Sequence, residues 1–499
     1  MAHRDDRSAN GTQGMAQAAQ RHQRATAGIR AEFKSEPGEC SYGWSVEDAK
    51  CVPREPSQPP IPLWRPYASA SAVRWGAYGA ELSSALAGAR KAGSSEAKAL
   101  AMKLVEGITD PSDRIAAIRK HVCRKVKVAG PGLLEVPFDR AFSAPDRALA
   151  DGYASAADWT NLMLTMLEAV GFDCTYLLSA DDADGFREMT ELSRDGAPNP
   201  DAFSSPFVRA VWRGSRRGFF ARLFGIGKDK EDLVFWVAQE NEFVPPEASS
   251  CFGDSYFDPE SAEFGRVPEA KGDWGRRSTV LRRFDVRLNG AADVDVVEKI
   301  YGAEVGKFRK RYEEMLGEVR RRHYRALLGA LSENATATKD LVTDVKGYPA
   351  ERTYSAYIPG FAVADGDEIT LKLPGFGGEP FDVGGPERKS PISVMPRADE
   401  TVVCEIIFPE GYTEVEHLPE SFSFANPLED SAKGEWIECG VESEIGTDRR
   451  LRVKVEAKSS RRPPAILPKT FFPLFKEWNR ISVSVPERTI TVRRRKGAR

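Results

Sequence analysis

The chain has 499 residues, 41% hydrophobic and 29% charged, with 71 Lys and Arg against 74 Asp and Glu. At about 150 residues per domain, that length suggests two to four domains, and a formal charge of -3 leaves no global basic field for coating nucleic acid. No stretch reaches the ~18 uncharged apolar residues that a membrane-spanning helix needs, and the polar first thirty residues lack the apolar core of a secretory signal.

The seven cysteines are too sparse for a disulfide scaffold, and no CxxC occurs. Only Cys40 and Cys51 are close enough to close a small loop, and only in an oxidising compartment. No Cys or His pairs stand at ligand spacing, so neither a metal nor a cofactor is expected.

Residues 1 to about 35 show no apolar period and read as a disordered tail. Tyr42 to Val46 is strand-like. A connector then carries Pro53, Pro56, Pro59, Pro60 and Pro62, which favour extended geometry over helix. Three helices follow. Ser95 caps the first, and Asp110-Pro111 starts the second, whose Ile115, Ile118, Val122 and Val126 recur at helical spacing. The third spans about Ser155 to Val170, with Trp159, Leu162, Met163, Met166 and Leu167 on a broad apolar face, and Gly171 at its C-cap. Cys174 to Ala180 reads as a buried strand.

Phe207–Trp212 and Asp232–Ala238 alternate like strands. Between them Arg216, Arg217 and Arg222 interleave with Phe219, Phe220 and Phe224. This insertion reads as a solvated hairpin tip, with contact to an anionic surface as the alternative. Residues 246 to 280 look irregular. Asn289-Gly290 between alternating apolar residues marks a hairpin. One charged helix then runs to about Leu331, with Phe308, Tyr312, Met315, Val319 and Leu327 on its inner stripe. The later segments TVVCEIIF, EWIECGV, RLRVKVEA, RISVSV and RTITVRR all alternate as strands.

The order of three helices, a buried strand and two further strands resembles the transglutaminase-like, papain-type superfamily. There a Gly-x-Cys-x-Asp motif opens a helix, and a His and an Asp follow on the next two strands. The counterpart here is GYASAADWTNLMLTMLEAVGFDCTYLL, Gly152 to Leu178. Pro53 to Trp75 resembles the connector that enters such domains in multidomain bacterial proteins. GYPAERTYSAYIPGFAVADGDEITLKLPG and ERKSPISV resemble their C-terminal module. The resemblance implies an α+β chain in three parts. Residues 1–66 are a tail, a remnant of an N-terminal β domain and the connector; 67–275 are the transglutaminase-like domain; 276–499 are a β-rich domain with one long helix. It also implies export to a cell envelope, and relatives with a full β domain ahead of the connector, so the chain is expected to begin inside a larger protein.

The catalytic residues do not carry over. The nucleophile position falls on Ala156. The His position falls among Ser204, Ser205 and Pro206, with Ser205 the matched one, and the Asp position on Ala238 or Gln239, with Ala238 matched. No histidine lies between His121 and His323. Ser155 and Asp158 are the only local substitutes, and both have a structural explanation: Ser is a common N-cap, and a carboxylate suits the first helical turn. The expectation is a pseudoenzyme, a binding or structural module whose groove holds a protein, peptide or polymer but not nucleic acid. The alternative is a hydrolase or amide transferase with a non-standard site at Ser155.

Overall fold

The computed structural model describes residues 29–36, 39–47, 52–68, 71, 73–183, 185–196, 198–213, 232–374, 381–385, 387–394, 399–425, 435–459, 465–483 and 488–495. Arg216, Arg217, Arg222 and Cys51 lie outside them. The architecture is α+β, in two compact units: Met1–Val52 with Pro59–Lys271, and Pro53–Gln58 with Gly272–Arg499.

In the first unit, β1 (Ile29–Glu36) pairs antiparallel with β2 (Glu39–Val46). The tail expected to about residue 35 is therefore a strand from Ile29 on, where Ile29, Ala31 and Phe33 alternate. Helices α1 (Trp75–Ala92), α2 (Ser95–Leu104) and α3 (Pro111–Lys125) follow. Asp110 caps α3, its carboxylate accepting from the Asp113 amide at 3.1 Å. Next come β3 (Lys127–Val128), α4 (Phe138–Ala141), α5 (Pro145–Asp151), β4 (Tyr153–Ala154) and α6 (Ala156–Ala169). The chain continues through β5 (Asp173–Ser179), α7 (Arg187–Glu191), β6 (Ser205–Trp212), β7 (Leu233–Val237), β8 (Ser255–Asp258) and β9 (Glu263–Arg266). The last two lie in the stretch that looked irregular, because short strands there pair with β5 and each other.

These strands form one sheet in the order β7-β6-β5-β8-β9. α6 lies against one face, and every residue from Ala157 to Leu167 is buried. Trp159, Leu162, Met163 and Met166 share a core with Ile115, Ile118 and Val122 of α3 and with Tyr176, Leu178, Val208, Ala210, Phe235 and Val237 of the sheet. The opposite face carries a smaller cluster of Leu177, Phe207, Trp236, Ala238, Cys251 and Val267.

The second unit opens with β10 (Arg277–Val286) and β11 (Ala292–Ile300), joined at Asn289-Gly290 as the sequence indicates. Two helices follow in place of the single long one: α8 (Glu304–Glu314) and α9 (Gly317–Leu331). The break falls where Met315 turns extended, ψ 114°, ahead of Gly317, a weak helix former. Then come β12 (Thr336–Ala337), β13 (Val342–Asp344), β14 (Ala350–Ile358), β15 (Val363–Asp365), β16 (Glu368–Lys372) and β17 (Ile392–Val394). β18 (Asp399–Ile407), β19 (Tyr412–His417), β20 (Phe422–Ala425), β21 (Glu435–Ile445) and β22 (Leu451–Ser459) complete the larger sheet and begin the next. β23 (Ala465–Leu467), α10 (Phe472–Val483) and β24 (Thr489–Arg494) close the chain.

The main sheet runs β12-β14-β11-β10-β18-β22-β21-β20, with β13 beside β14. β10 and β18 pair in parallel at its centre. The strand expected at RISVSV is helical through Val483 instead. Phe472, Phe475 and Trp478 recur at helical spacing there and pack with Phe381, Phe424 and Ile437, so tertiary burial overrides a short alternating pattern.

Gly290 sits at φ +78°, and a Cβ on it would overlap the Ala362 carbonyl oxygen. Gly290→Ala is therefore expected to destabilise the second unit by at least ~2 kcal/mol. A urea titration followed by amide exchange in β10 and β11 measures it; an unchanged midpoint would contradict this packing.

Candidate functional site

The start of α6 is built by a short, tightly specified turn. α5 ends at Gly152, whose φ of +69° reverses the chain into β4. β4 pairs in parallel with β3 through Lys127–Tyr153 and Val128–Ala154. Ser155 is then the N-cap, extended at φ -65°, ψ 167°, and its Oγ accepts from the Asp158 amide at 3.1 Å. Ala156 is the first helical residue and is half-buried. It offers no atom for chemistry.

Asp158 is 9% exposed, and its carboxylate accepts from the Ser143 amide. One turn on, Asn161 Nδ2 donates to the Ser143 carbonyl at 3.3 Å. The two side chains thus fasten the loop before α5 to α6. A cleft of about 210 Å³ opens beside them, lined among others by Gly130, Pro131, Arg140, Tyr153, Ser155 and Asp158. Gly130, at φ +117°, passes over Ser155: a Cβ there would lie 3.9 Å from the serine Cβ. Arg140 is exposed and, among the described residues, has no ion pair, whereas Arg147 pairs with Asp151 at 3.2 Å.

The sheet decides which residues could serve this helix end. Thr160 Oγ1 donates to the Pro206 carbonyl at 3.3 Å, which sets the start of β6 beside α6. Val208, Ala210, Phe235 and Val237 face the helix, and Phe207, Trp236 and Ala238 face the other way. Strand alternation puts Ser205 on the far side with Phe207. Its hydroxyl donates to Asp181. Ser205 and Ala238, the positions matched to the family's His and Asp, both point away from α6. Pro206 is buried on the helix side and Gln239 is exposed just past β7. Neither supplies an imidazole or a carboxylate.

Neither His121 nor His323 serves this helix end. His121, on α3, has its pKa lowered by burial and then by Lys125, and no hydrogen bond joins it to Ser155 among the described residues. His323 belongs to the second unit, where its Nε2 meets the Tyr312 hydroxyl at 2.8 Å. Cys123, Cys174 and Cys251 are no better placed. Burial pushes the Cys174 and Cys251 thiols well up, and Cys123 donates to the Glu240 carbonyl at 3.2 Å.

Two polar groupings escape a reading of the sequence. Arg119 and Glu240 form a buried pair at 3.5 Å, and Arg119 also donates to the Val244 carbonyl at 2.8 Å, tying α3 to the chain after β7. On the far face, Asp254 accepts from the Ala183 amide at 2.7 Å and meets Ser179 Oγ at 2.9 Å, while Asp182 accepts from the Ser255 amide at 2.6 Å. These carboxylates hold the loop after β5 to β8. Burial, with smaller contributions from Asp181 and Asp182, pushes the Asp254 pKa up to about 7, against the bonds from Ala183 and Ser179. No group of three His, Cys, Asp or Glu able to hold a metal occurs among the described residues.

No family model matches the chain, and no curated protein matches it. Among solved structures, it is similar to that of a putative protease from Parabacteroides distasonis ATCC 8503. The TM-score is 0.44 at 12% identity, over 93% of this chain and 68% of that one. A likeness this loose carries no argument about activity.

Asp254 gives this unit a testable pH response. Below the ordinary aspartate value of 3.8, folded and unfolded chains both hold the proton. Between there and about 7 only the folded chain keeps it, so stability falls as pH rises through that window. Asp254→Asn, which mimics the protonated acid, should flatten this dependence and be more stable than wild type at pH 8. Equal pH profiles for the two proteins, read by amide exchange in β5 and β8, would contradict the assignment.

Proposed function

We propose that the first unit is a transglutaminase-like module that has given up covalent chemistry and keeps the cleft at the start of α6 to bind a protein, peptide or polymer. The observation that carries this reading is the identity and engagement of two residues. Ala156 begins the helix, and the Ser155 hydroxyl next to it is taken up by the Asp158 amide.

A cysteine transferase needs a thiolate at the helix end and an imidazole to take the proton. Without a base, a serine hydroxyl stays protonated and nucleophilically weak. Among the described residues the Asp158 carboxylate makes no hydrogen bond to the Ser155 hydroxyl and receives the Ser143 amide instead. What remains is recognition chemistry: an exposed guanidinium at Arg140, the exposed ring of Tyr153 and a positive helix end. Such a cleft suits a ligand with carboxylate or carbonyl groups. The cell envelope, which the resemblance implies, is the setting we infer for it.

Ser155→Ala separates the two readings. It should cost about 1 kcal/mol of stability through the lost cap and change no activity. Turnover of a glutamine-containing peptide with an amine acceptor should equal the buffer background in both proteins. Robust wild-type turnover, abolished in Ser155→Ala, would establish the hydrolase or transferase reading instead.

A further inference from the structure

The proline-rich stretch is more than a spacer. Pro53–Gln58 belongs to the second unit, although the chain on either side belongs to the first. The Glu55 carboxylate accepts from the amides of Lys389 at 2.8 Å and Ser390 at 2.7 Å, and from the Ser390 hydroxyl. Two successive amides converging on one anion form a backbone nest. Burial alone would raise the Glu55 pKa, but these bonds and the Arg388 charge outweigh it and hold the carboxyl below its usual range.

Arg388, 8% exposed, reads the next two residues. Its Nη1 donates to the Pro56 carbonyl at 2.7 Å and its Nη2 to the Ser57 carbonyl at 3.0 Å. The same guanidinium is anchored by its own loop, through the carbonyls of Val383 at 2.8 Å, Ser390 at 3.0 Å and Pro391 at 2.7 Å. Ser393, on β17, adds its amide to the Ser57 carbonyl at 2.7 Å, and Ser57 Oγ donates to the Asp382 carbonyl at 2.6 Å. Gly384, at φ +85°, leaves room for Pro56, whose Cδ would lie 3.1 Å from a Cβ there.

Among the described residues, the groups that read the segment lie between Asp382 and Ser393, more than 320 residues away along the chain. It reads one carboxylate and successive backbone carbonyls, which is how proteins recognise extended peptides. We propose that the Arg388 loop is a peptide-recognition site for an acidic–proline–serine segment, and that Glu55-Pro56-Ser57 is its occupant in cis. A separate peptide of the same chemistry takes the seat once the cis segment leaves it. Until then the tethered segment competes at an effective concentration on the order of millimolar. This site is independent of the cleft at α6.

The test uses the full chain. Glu55→Ala should speed amide exchange at Lys389, Ser390 and Ser393 about tenfold, the scale of one lost charge-assisted bond. A synthetic peptide, VPREPSQ, should restore protection, and the same peptide with Ala for Glu should not. Ser57→Pro is a second variant that dislodges the segment without touching the loop, because proline cannot adopt the Ser57 φ of +50°. It should show the same loss and the same rescue. Unchanged exchange in both variants, or loss that the peptide does not restore, would overturn the proposal.

Discussion

α6 has almost no solvent face, and the rest of the first unit is arranged to enclose it. A helix buried along most of its length has to be packed on every side, and its buried Asp158, Thr160 and Asn161 find hydrogen-bond partners. α2 and α3 cover part of it and the sheet covers another part, with Trp159, Leu162, Met163 and Met166 each fully or almost fully buried. At ~1.5–3 kcal/mol for each large apolar side chain taken from water, this is the main stabilisation of the unit. Only the two ends are half-exposed, and the cleft forms at the N-terminal one.

That constraint also decides where polar chemistry can stand. Side chains on β6 and β7 alternate, so those facing α6 must be apolar to complete its core, as Val208, Ala210, Phe235 and Val237 are. The polar residues of the sheet are pushed to its ends or to the opposite face. Ser205 and Ser179 accordingly point to Asp181 and Asp254, not to the helix. The buried Arg119–Glu240 pair fixes α3 to the chain after β7. A pair this enclosed is costly to break by removing one partner, which makes it a brace and a poor source of mobile protons.

Much of this was legible in the sequence where the cause is local. Asp110-Pro111, Ser155 and Gly171 mark helix ends through capping chemistry, and all three do so in the structure. Asn289-Gly290 gives its hairpin for the same reason. What the sequence hides is set over long distances. The facing of Ser205 and Ala238 depends on how Thr160 meets Pro206, not on either strand's own pattern. Asp182 and Ser255 are 73 residues apart, and Glu55 and Ser390 are 335 apart, so no window contains both partners. The break between α8 and α9 fell on Met315 and Leu316, where apolar periodicity continues but only Met315 finds cover; Leu316 is 75% exposed.

Binding without covalent chemistry requires the start of α6 to be a cap and not a nucleophile. The most direct measurement is the intact mass of the chain after incubation with an activated acyl ester, followed by mapping of the peptide that contains residues 152–172. An engaged cap oxygen with no neighbouring base should leave that peptide unmodified, even while a serine hydrolase in the same tube is acylated completely. Stoichiometric acylation of Ser155 would contradict the account.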